Sequence, residues 1–413
     1  MHRAHKIRLQ PTAEQAVYFA KACGTARFAY NWALAEWQKR YEAHKLDKSL
    51  PQPNEAALRK ALNEVKAEQF PWIAEVTKTA PQQAIKNLGT AYANAFRRIK
   101  AGKKSGRGYG FPQFKKKGVR DSFRADNGPA NASASSVEVD GRRVKLPRCG
   151  WTRMREELRF SGRVISATVS KLADGWYVTL LVDTEERLER ITDCGAVGVD
   201  LGVASLAALS TGEIVPALKP HRAESARLRR LSRSLSRKKK GSANRRKARA
   251  KLARLHLRIA NVRKDVLHNL TRRLATEFSV VAIEDLHVAG MLRNRHLARS
   301  IADAGFAEFR RQLEYKMAMT GGSVAVVDRF FPSSKTCSEC GVIHQGLTLS
   351  MRQWRCEDCG AEHHRDLNAA KNILAASCAV TACGEVGSGA ARKCGVKPAS
   401  AKQEAEHGTF VHA

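Results

Sequence analysis

The sequence predicts a multidomain α/β protein, and three observations support this fold class. The chain has 413 residues, which exceeds what one ordinary hydrophobic core organises, so two or three domains are expected. Apolar residues make up 43% of the composition, enough to fill such cores. Helical patterns alternate with short apolar, strand-like runs, most clearly in the second half of the chain.

The N-terminal part is predicted to be one short strand followed by helices. Residues 5–10 alternate polar and apolar side chains, which indicates a strand. A helical stretch rich in aromatic residues covers about residues 12–45, and helical spacing resumes over 55–69. From residue 81 to 99 apolar side chains recur every three or four residues, so a third helix is expected there.

A basic loop and a β-rich region come next. The loop, residues 101–118, is rich in glycine and ends with aromatic residues interleaved with lysines that include Lys115 and Lys116. This mixture suits phosphate contact combined with base stacking. Residues 119–190 carry alternating runs and an Asp-Gly turn signal, which predicts a small β domain. A barrel is one form that this domain could take, and the N-terminal strand could complete it.

The second half begins with an apolar strand over residues 196–200. A basic helical region covers 221–277, with a break expected at 238–242 where glycine and serine interrupt the charge run. So many cations with so few acids favour a phosphate-binding arm over a plain solvated helix. The remaining expected elements are a strand over 279–283, a helix near 297–321, a strand over 323–327 and a disordered tail over 379–413.

The charge balance narrows the class of partner. Lys and Arg number 73 against 39 Asp and Glu, a net charge of +34. Such an excess opposes compaction unless a polyanion offsets it, and nucleic acid or an anionic membrane surface could do so. No apolar run approaches the ~20 residues of a membrane helix, and the first residues do not form a signal peptide. We therefore expect a cytoplasmic protein that binds nucleic acid.

The strongest local signal is a set of four cysteines. Cys337 and Cys340 form one C-x-x-C pair. After fifteen intervening residues, Cys356 and Cys359 form a second pair. Each pair can hold one metal from a tight turn, and a glycine follows the second cysteine of each pair. Four thiolates leave no open position on a tetrahedral ion, which predicts one structural Zn²⁺ in a zinc ribbon and not a catalytic zinc.

Three acids are candidates for a second metal site. Asp200 and Glu284 each close an apolar strand, and Asp366 follows the zinc segment. Carboxylates that converge at strand ends could hold two Mg²⁺ ions for phosphodiester hydrolysis, since hard oxygen ligands match Mg²⁺. Taken singly each acid is weak evidence, because an Asp at the end of a strand is more often a turn or helix cap. Asp285 and Asp328 are acids of that ambiguous kind.

Short motifs distributed over nearly the whole chain form a recognisable combination. Upstream they are Tyr-Asn-Trp (30–32), Gln-Gln-Ala (82–84) and Phe-Pro-Gln-Phe-Lys (111–115). Downstream they are Gly-Val-Asp-Leu-Gly-Val (198–203), Ile-Glu-Asp-Leu (283–286), Ala-Gly-Phe (304–306) with Phe309, Pro-Ser-Ser-Lys-Thr-Cys-Ser-Glu-Cys-Gly (332–341), Cys-Glu-Asp-Cys-Gly (356–360) and Arg-Asp-Leu-Asn-Ala-Ala-Lys-Asn-Ile (365–373). This combination closely resembles the TnpB family, the transposon-encoded RNA-guided nucleases often labelled OrfB transposases and related to type V CRISPR effectors.

The resemblance implies a particular domain arrangement. A RuvC-like nuclease domain with an RNase H fold is expected over residues 193–332 and 362–378, with a zinc-ribbon insertion over 333–361. The N-terminal half resembles a β-barrel wedge domain (1–11 and 116–192) that carries an inserted helical recognition domain (12–115). The segment 379–413 stays outside these domains as the expected tail.

The resemblance also implies the site and its partners. Matched by motif, Asp200, Glu284 and Asp366 are the catalytic ligands of two Mg²⁺ ions. The partners are a guide RNA from the transposon end and a double-stranded target DNA, with the protein a monomer on one RNA, nucleoid-associated when bound to DNA in a prokaryotic cell. Candidate readers of a short transposon-adjacent motif and of the nucleic-acid backbone are Lys78, Gln82, Gln83, Lys115 and Lys116.

Three alternatives remain open at this stage. Some relatives lose acids and become RNA-guided DNA-binding regulators, whereas this chain keeps all three. A transposition accessory role is another possibility. A strand-transfer transposase would need a His-apolar-His metal motif, and here His363 and His364 are adjacent. His364 also stands where the family often has Asp, but it flanks Asp366 and is not itself the expected ligand.

Overall fold

The computed structural model describes residues 1–102, 110–128, 136–184, 195–348 and 350–384, with side chains described up to residue 378. It divides into two compact units, Met1–Arg187 and Leu188–Ala413. None of the described helices is both long and apolar enough to cross a membrane.

The first unit combines helices with a seven-stranded sheet. Its helices are α1 (Ala13–Leu46), α2 (Glu55–Gln69), a 3-10 helix (Pro71–Glu75) and α3 (Thr79–Lys100). Its strands are β1 (His2–Gln10), β2 (Ser122–Asp126), β3 (Glu138–Asp140), β4 (Arg143–Leu146), β5 (Gly150–Met154), β6 (Arg163–Leu172) and β7 (Gly175–Asp183).

Strand β1 lies in the middle of this sheet, although it comes first in the chain. The strand order is β2-β6-β7-β1-β5-β4-β3, and β1 pairs antiparallel with both β7 and β5. Alternate residues of β1, including Ile7 and Leu9, are buried, which is the period expected for a strand with one face on the core. The turn after Leu172 returns the chain directly into β7, so the predicted hairpin is present.

The helices of the first unit supply the other half of its core. Helix α1 starts with a capping box in which Thr12 and Gln15 satisfy each other's backbone N–H groups. Small residues buried at three- and four-residue spacing let α1 approach its neighbours closely. Phe19 of α1 meets Trp176 of β7 edge to face, with ring centroids 5.3 Å apart. One hydrophobic cluster therefore joins helices and sheet.

The second unit is built on a five-stranded sheet of order β10-β9-β8-β11-β12. Its strands are β8 (Ala196–Leu201), β9 (Ser205–Leu209), β10 (Ile214–Pro216), β11 (Val280–Glu284) and β12 (Ser323–Val327), followed by a separate pair, β13 (Gln353–Arg355) and β14 (Glu362–His364). Its helices are α4 (Pro220–Ala223), α5 (Ser225–Ser236), α6 (Ala243–Glu277), α7 (Val288–Met291), α8 (Ala298–Ala304), α9 (Phe306–Thr320) and α10 (Arg365–Gly384).

Three neighbouring strands of this sheet, β8, β11 and the edge strand β12, run parallel and are covered on both faces. Val199 and Ile283 pack with α6 and α9 on one face, whereas Ala282 packs with Ile373 of α10 on the other. Burial on both faces explains why these strands are almost continuously apolar in the sequence.

Some sequence predictions need correction. The single helix expected near 297–321 is two helices, because Gly305 adopts a left-handed conformation (φ 75°) between α8 and α9. Helix α10 continues to Gly384, so the tail expected from residue 379 begins as helix, and residues 385–413 lie outside the described residues. Strand β14 extends the ribbon past the boundary expected at residue 361.

Candidate functional site

Two of the three candidate acids lie side by side on adjacent parallel strands. Strand β8 pairs with β11 in a register that sets Val199 opposite Ile283, so Asp200 and Glu284 follow at the same edge of the sheet. Both side chains are partly buried. Parallel strands bring their carboxyl ends to one edge, which is why two acids 84 positions apart become neighbours.

The third acid, Asp366, reaches this edge on the first turn of helix α10. The helix lies directly on β8 at Gly198, where an added Cβ atom would fall 2.0 Å from the carbonyl oxygen of Ala370 and 2.8 Å from the backbone nitrogen of Leu374. Only glycine permits backbones to approach so closely. Gly198 therefore sets the distance between the strand that carries Asp200 and the helix that carries Asp366.

Polar side chains hold two of the carboxylates in place. Ser333 donates a hydrogen bond of 2.9 Å from its Oγ to Oε1 of Glu284. Asp366 accepts from Arg352, whose Nη1 lies 3.1 Å from Oδ1 and 3.4 Å from Oδ2, and from Ser205 at 3.5 Å. Both Ser333 and Arg352 belong to the segment around the cysteines, so that segment contacts the acids directly.

Burial and neighbouring negative charges both act on the pKa values of the acids. Burial, followed by the charges of Glu284 and Asp366, raises the pKa of Asp200 to about 7. Burial also raises the pKa of Glu284, opposed by the hydrogen bond from Ser333. A bound cation would remove this penalty, and carboxylate oxygens are the donors that Mg²⁺ prefers. The donor set therefore fits magnesium, although the three carboxylates are not among the described groups whose ligand atoms all lie within 4.8 Å of one another.

The four predicted cysteines do come together. The sulfur atoms of Cys337, Cys340, Cys356 and Cys359 all lie within 4.8 Å of one another. Each pair closes the same turn: the backbone N–H of the glycine after the second cysteine donates to the carbonyl of the first, at 2.9 Å and 3.0 Å. Both glycines, at 341 and 360, adopt left-handed conformations. This geometry fits one tetrahedral Zn²⁺.

Two histidines flank the thiol cluster. Nε2 of His363 lies 3.1 Å from the sulfur of Cys337, and Nε2 of His344 lies 3.2 Å from the sulfur of Cys356. Both rings pack on Trp354, with centroids 4.6 and 4.9 Å away. In the tautomer that carries its proton on Nε2, each imidazole would donate to sulfur and offset part of the negative charge of four thiolates.

Two asparagines of α10 connect the cluster to Asp366. Asn368 accepts from the backbone N–H of Ser338 at 2.9 Å and donates to the carbonyl of Thr336 at 2.7 Å. Asn372 donates to the carbonyls of Ser333 and Thr336 at 2.8 and 2.6 Å. Both amides are almost fully buried. The thiol cluster and the first turn of α10 are thus one hydrogen-bonded assembly.

The candidate nucleic-acid residues of the first unit are placed differently from one another. Lys78 and Gln82 line a cavity of about 560 Å³ between α2, the 3-10 helix and α3. The amide of Gln83, in contrast, donates to the carboxylate of Asp126, so it serves the fold. Arg59, Lys66 and Arg148 also line the cavity and make it strongly basic.

The two candidate lysines of the basic loop, Lys115 and Lys116, also differ in how far the first unit engages them. The Lys115 ammonium lies 3.8 Å from the centroid of the Tyr30 ring, and burial lowers its pKa. The backbone of Lys115 is held by Asn31 through two hydrogen bonds of 3.0 and 2.7 Å. Both lysines are exposed over the residue as a whole, so the burial of Lys115 concerns its ammonium group, and Lys116 remains a candidate for phosphate contact.

Several residues at the site were not identified from the sequence. Ser205 and Arg352 lie outside the recognised motifs, and Ser333 lies inside one (332–341) but was given no role. Asn368 and Asn372, however, are spaced by four positions on a predicted helix, which places both amides on one face. Two buried asparagines at that spacing, next to a zinc segment, could have indicated a helix anchored by side-chain hydrogen bonds.

Family comparisons agree with this picture. The OrfB_IS605 family, described as "Probable transposase", matches residues 179–295, and the "Cas12f1-like, TNB domain" family matches 306–373. A "Helix-turn-helix domain" family matches residues 1–45. Over those residues the present fold is one strand and one uninterrupted helix, α1, so no turn divides two helices there.

Full-length relatives decide the family. A protein of Streptomyces pristinaespiralis named "Putative RNA-guided DNA endonuclease" is 40% identical over 390 residues, covering 93% of this chain and 91% of that protein. The chain belongs to the TnpB family. A second relative, the similarly named InsQ of Escherichia coli K12, is 35% identical over 400 residues and covers 93% of this TnpB-family chain and 94% of its own.

A solved structure supports the same overall fold for this TnpB-family chain. The cryo-EM structure of a Cas12f1–sgRNA–target DNA complex aligns with a TM-score of 0.50 at 15% identity, over 91% of this chain and 98% of the other. At that identity the likeness concerns the α/β fold alone.

Proposed function

We propose that this protein is a transposon-encoded, RNA-guided DNA endonuclease that cleaves target DNA next to a short transposon-adjacent motif. Family membership supports the guided mode of action, because relatives that are 40% and 35% identical over nearly the whole chain carry that activity in their names. The observation that carries the nuclease proposal is the convergence of Asp200, Glu284 and Asp366 from two parallel strands and a helix at one sheet edge.

In this proposal the three carboxylates hold the catalytic metal. Two Mg²⁺ ions bound there would activate water for in-line attack and stabilise the leaving oxygen of the phosphodiester. Ser333 orients Glu284, and Arg352 and Ser205 orient Asp366, so the oxygen ligands are positioned before a metal arrives. The five-stranded sheet, α6, α9 and α10 make up the proposed RuvC-like domain, which covers residues 193–332 and resumes with α10 after the ribbon.

The four thiolates are proposed to hold one structural Zn²⁺ in the ribbon insertion, which runs from residue 333 through β14. Its role follows from the hydrogen bonds of Asn368 and Asn372, which join the cysteine turns to α10. An ordered ribbon fixes the first turn of α10 and thereby the position of Asp366. The zinc acts on catalysis through this connection and not by contact with substrate.

The first unit is proposed to bind the nucleic acids, as a wedge domain (1–11 and 116–192) with an inserted recognition domain (12–115). Guide RNA pairing with one DNA strand supplies sequence specificity, while the protein contacts backbone and the adjacent motif. Lys78 and Gln82, in their basic cavity, are the proposed motif readers. The net charge of +34 suits two polyanionic partners in the cytoplasm, where the complex would associate with the nucleoid.

The competing class is an RNA-guided DNA-binding regulator that does not cut. The discriminating experiment purifies the protein with its co-expressed RNA, sequences that RNA, and supplies a plasmid carrying the matching target. We expect cleavage with Mg²⁺, none with EDTA, and none for Asp200→Ala despite equal RNA binding. The substitution Asp265→Asn removes an exposed acid of α6 and should cut normally. Target binding without cutting by the wild-type complex would establish the regulator instead.

A further inference from the structure

A ladder of aromatic rings runs from the core of the first unit to its surface. Trp37 and Tyr92 stack face to face, with centroids 4.1 Å apart and planes 9° from parallel. Phe96 continues the stack at 6.0 Å and 27° from Tyr92. Phe111 meets Phe96 edge-on at 6.1 Å. Trp37 and Tyr92 are buried, but Phe96 and Phe111 are 48% and 47% exposed.

The exposed end of this ladder is positioned by contacts within the first unit. Phe96 lies on α3, and Phe111 follows Gly110, whose left-handed backbone (φ 73°) directs the chain back over the helix. Further along, the loop is fixed where the backbone of Lys115 is held by Asn31. We call Tyr92, Phe96 and Phe111 the aromatic platform.

The surroundings of the aromatic platform are cationic. No acidic residue occurs between Glu75 and Asp121 in the sequence. Arg97 and Lys100, next to the platform on α3, form no ion pair with any described carboxylate. An exposed apolar patch among cations matches a partner that is both planar and anionic, and nucleic acid combines flat bases with phosphates.

We propose that the aromatic platform stacks an unpaired nucleobase of bound nucleic acid, which extends the row Trp37–Tyr92–Phe96 by one ring. Arg97 and Lys100 contact the phosphates on either side of that base. The inference rests on the proposed function only in requiring that the protein binds nucleic acid. The base can come from the RNA or from a single-stranded segment of DNA, and the test separates these two sources.

The test measures affinity of the full chain for labelled 12-nucleotide RNA and DNA strands, and for abasic strands with the same phosphates. In magnesium-free buffer, Phe96→Ala is expected to weaken binding of the base-containing strand by roughly five- to a hundredfold, the range of one lost stacking contact. Abasic strands should bind both proteins within about twofold. The slope of log K against log salt should not change, because no phosphate contact is lost.

Two further variants complete the test. Phe111→Trp should keep affinity, and its fluorescence should be quenched by base-containing strands but not by abasic ones. It keeps the proposal testable if Phe96→Ala fails to fold. Trp151→Ala removes an exposed aromatic of the same unit that packs against Arg143, away from the platform, and should bind like wild type. The nucleic acid, RNA or DNA, that shows the larger Phe96→Ala effect supplies the base.

The outcomes distinguish this inference from the function it builds on. Equal losses on base-containing and abasic strands, or unquenched emission from the introduced indole of the Phe111→Trp protein, overturn the stacking assignment. Loss of self-association in Phe96→Ala would overturn it too, because the platform would then cover a second copy of the chain. If wild type binds neither kind of strand, the nucleic-acid function itself is wrong.

Discussion

Asp200→Asn is expected to stabilise the magnesium-free protein while abolishing cleavage. Burial of Asp200, together with the negative charges of Glu284 and Asp366, raises its pKa from an ordinary value of 3.8 to about 7. The folded state therefore holds the proton more tightly than the unfolded chain, so the free energy of unfolding falls as pH rises between those two values. Asparagine, neutral and of the same shape, removes that penalty.

The magnitude follows from the difference between 3.8 and about 7, which is ~3 pH units. At about 1.36 kcal/mol per unit this corresponds to roughly 4 kcal/mol. It is an upper value, because Glu284 and Asp366 share the repulsion and can move or bind the proton instead. The stabilisation by Asp200→Asn should be absent near pH 4, grow through pH 5 and 6, and level off above pH 7.

Thermal unfolding in metal-depleted, zinc-retaining buffer from pH 5 to 8.5 measures this. At ~2–4 °C per kcal/mol for a unit of this size, the variant should melt several degrees above wild type at pH 8. Adding Mg²⁺ should raise the melting temperature of wild type and not that of the variant. Asp265→Asn, the same change at an exposed acid, should leave the difference near zero. A variant that is less stable than wild type at pH 8, or a pH-independent difference, would refute the crowding argument.

Three other predictions concern the parts that position the acids. Gly198→Ala should destabilise the second unit by about 1–3 kcal/mol and lower cleavage, because its methyl group overlaps the backbone of α10. Chemical denaturation measures this, and Gly24→Ala on α1, whose added Cβ would meet only the Arg27 side chain at 3.8 Å, should be neutral or slightly stabilising. Cys340→Ser should lower the zinc content below one ion per chain, as measured by atomic absorption, and should lower cleavage. An unchanged zinc content would contradict the assigned ligand set. Asn372→Ala should cost roughly 1–3 kcal/mol, since it leaves the carbonyl of Ser333 without its amide donor and the carbonyl of Thr336 with Asn368 alone, and should slow cleavage without releasing RNA.

The sequence predicted those features that depend on the spacing of neighbouring residues, such as the cysteine turns and the ends of strands. The two C-x-x-C pairs and their glycines specify matching turns, and the four sulfur atoms are together in the structure. The adjacency of Asp200 and Glu284 followed from strand ends, and β8 does pair with β11. The spacing of Asp366 alone did not reveal its position, because its approach depends on the absence of a side chain at Gly198.

What the sequence could not predict are contacts between distant segments. Gln83 was predicted to be a candidate reader of the adjacent motif, but its side-chain amide donates to Asp126, which comes 43 positions later. Lys115 belongs to a basic run, yet its ammonium lies over Tyr30. Arg352 contacts Asp366 only because β13 and β14 bring the ribbon back beside α10. Tertiary packing determines each of these contact partners, and the periodicity of a single sequence does not indicate which distant residues will meet.

The central claim is that Asp200, Glu284 and Asp366 act as one metal-holding unit. The most direct test compares single-turnover target cleavage by RNA complexes of Asp200→Asn, Glu284→Gln and the double variant, with target binding measured in parallel. Each single variant should lose at least about a hundredfold in rate at unchanged binding, and the double variant should lose no more than the worse single one, as expected for groups that work together. Wild-type cleavage by Glu284→Gln, or losses that simply multiply in the double variant, would contradict the claim.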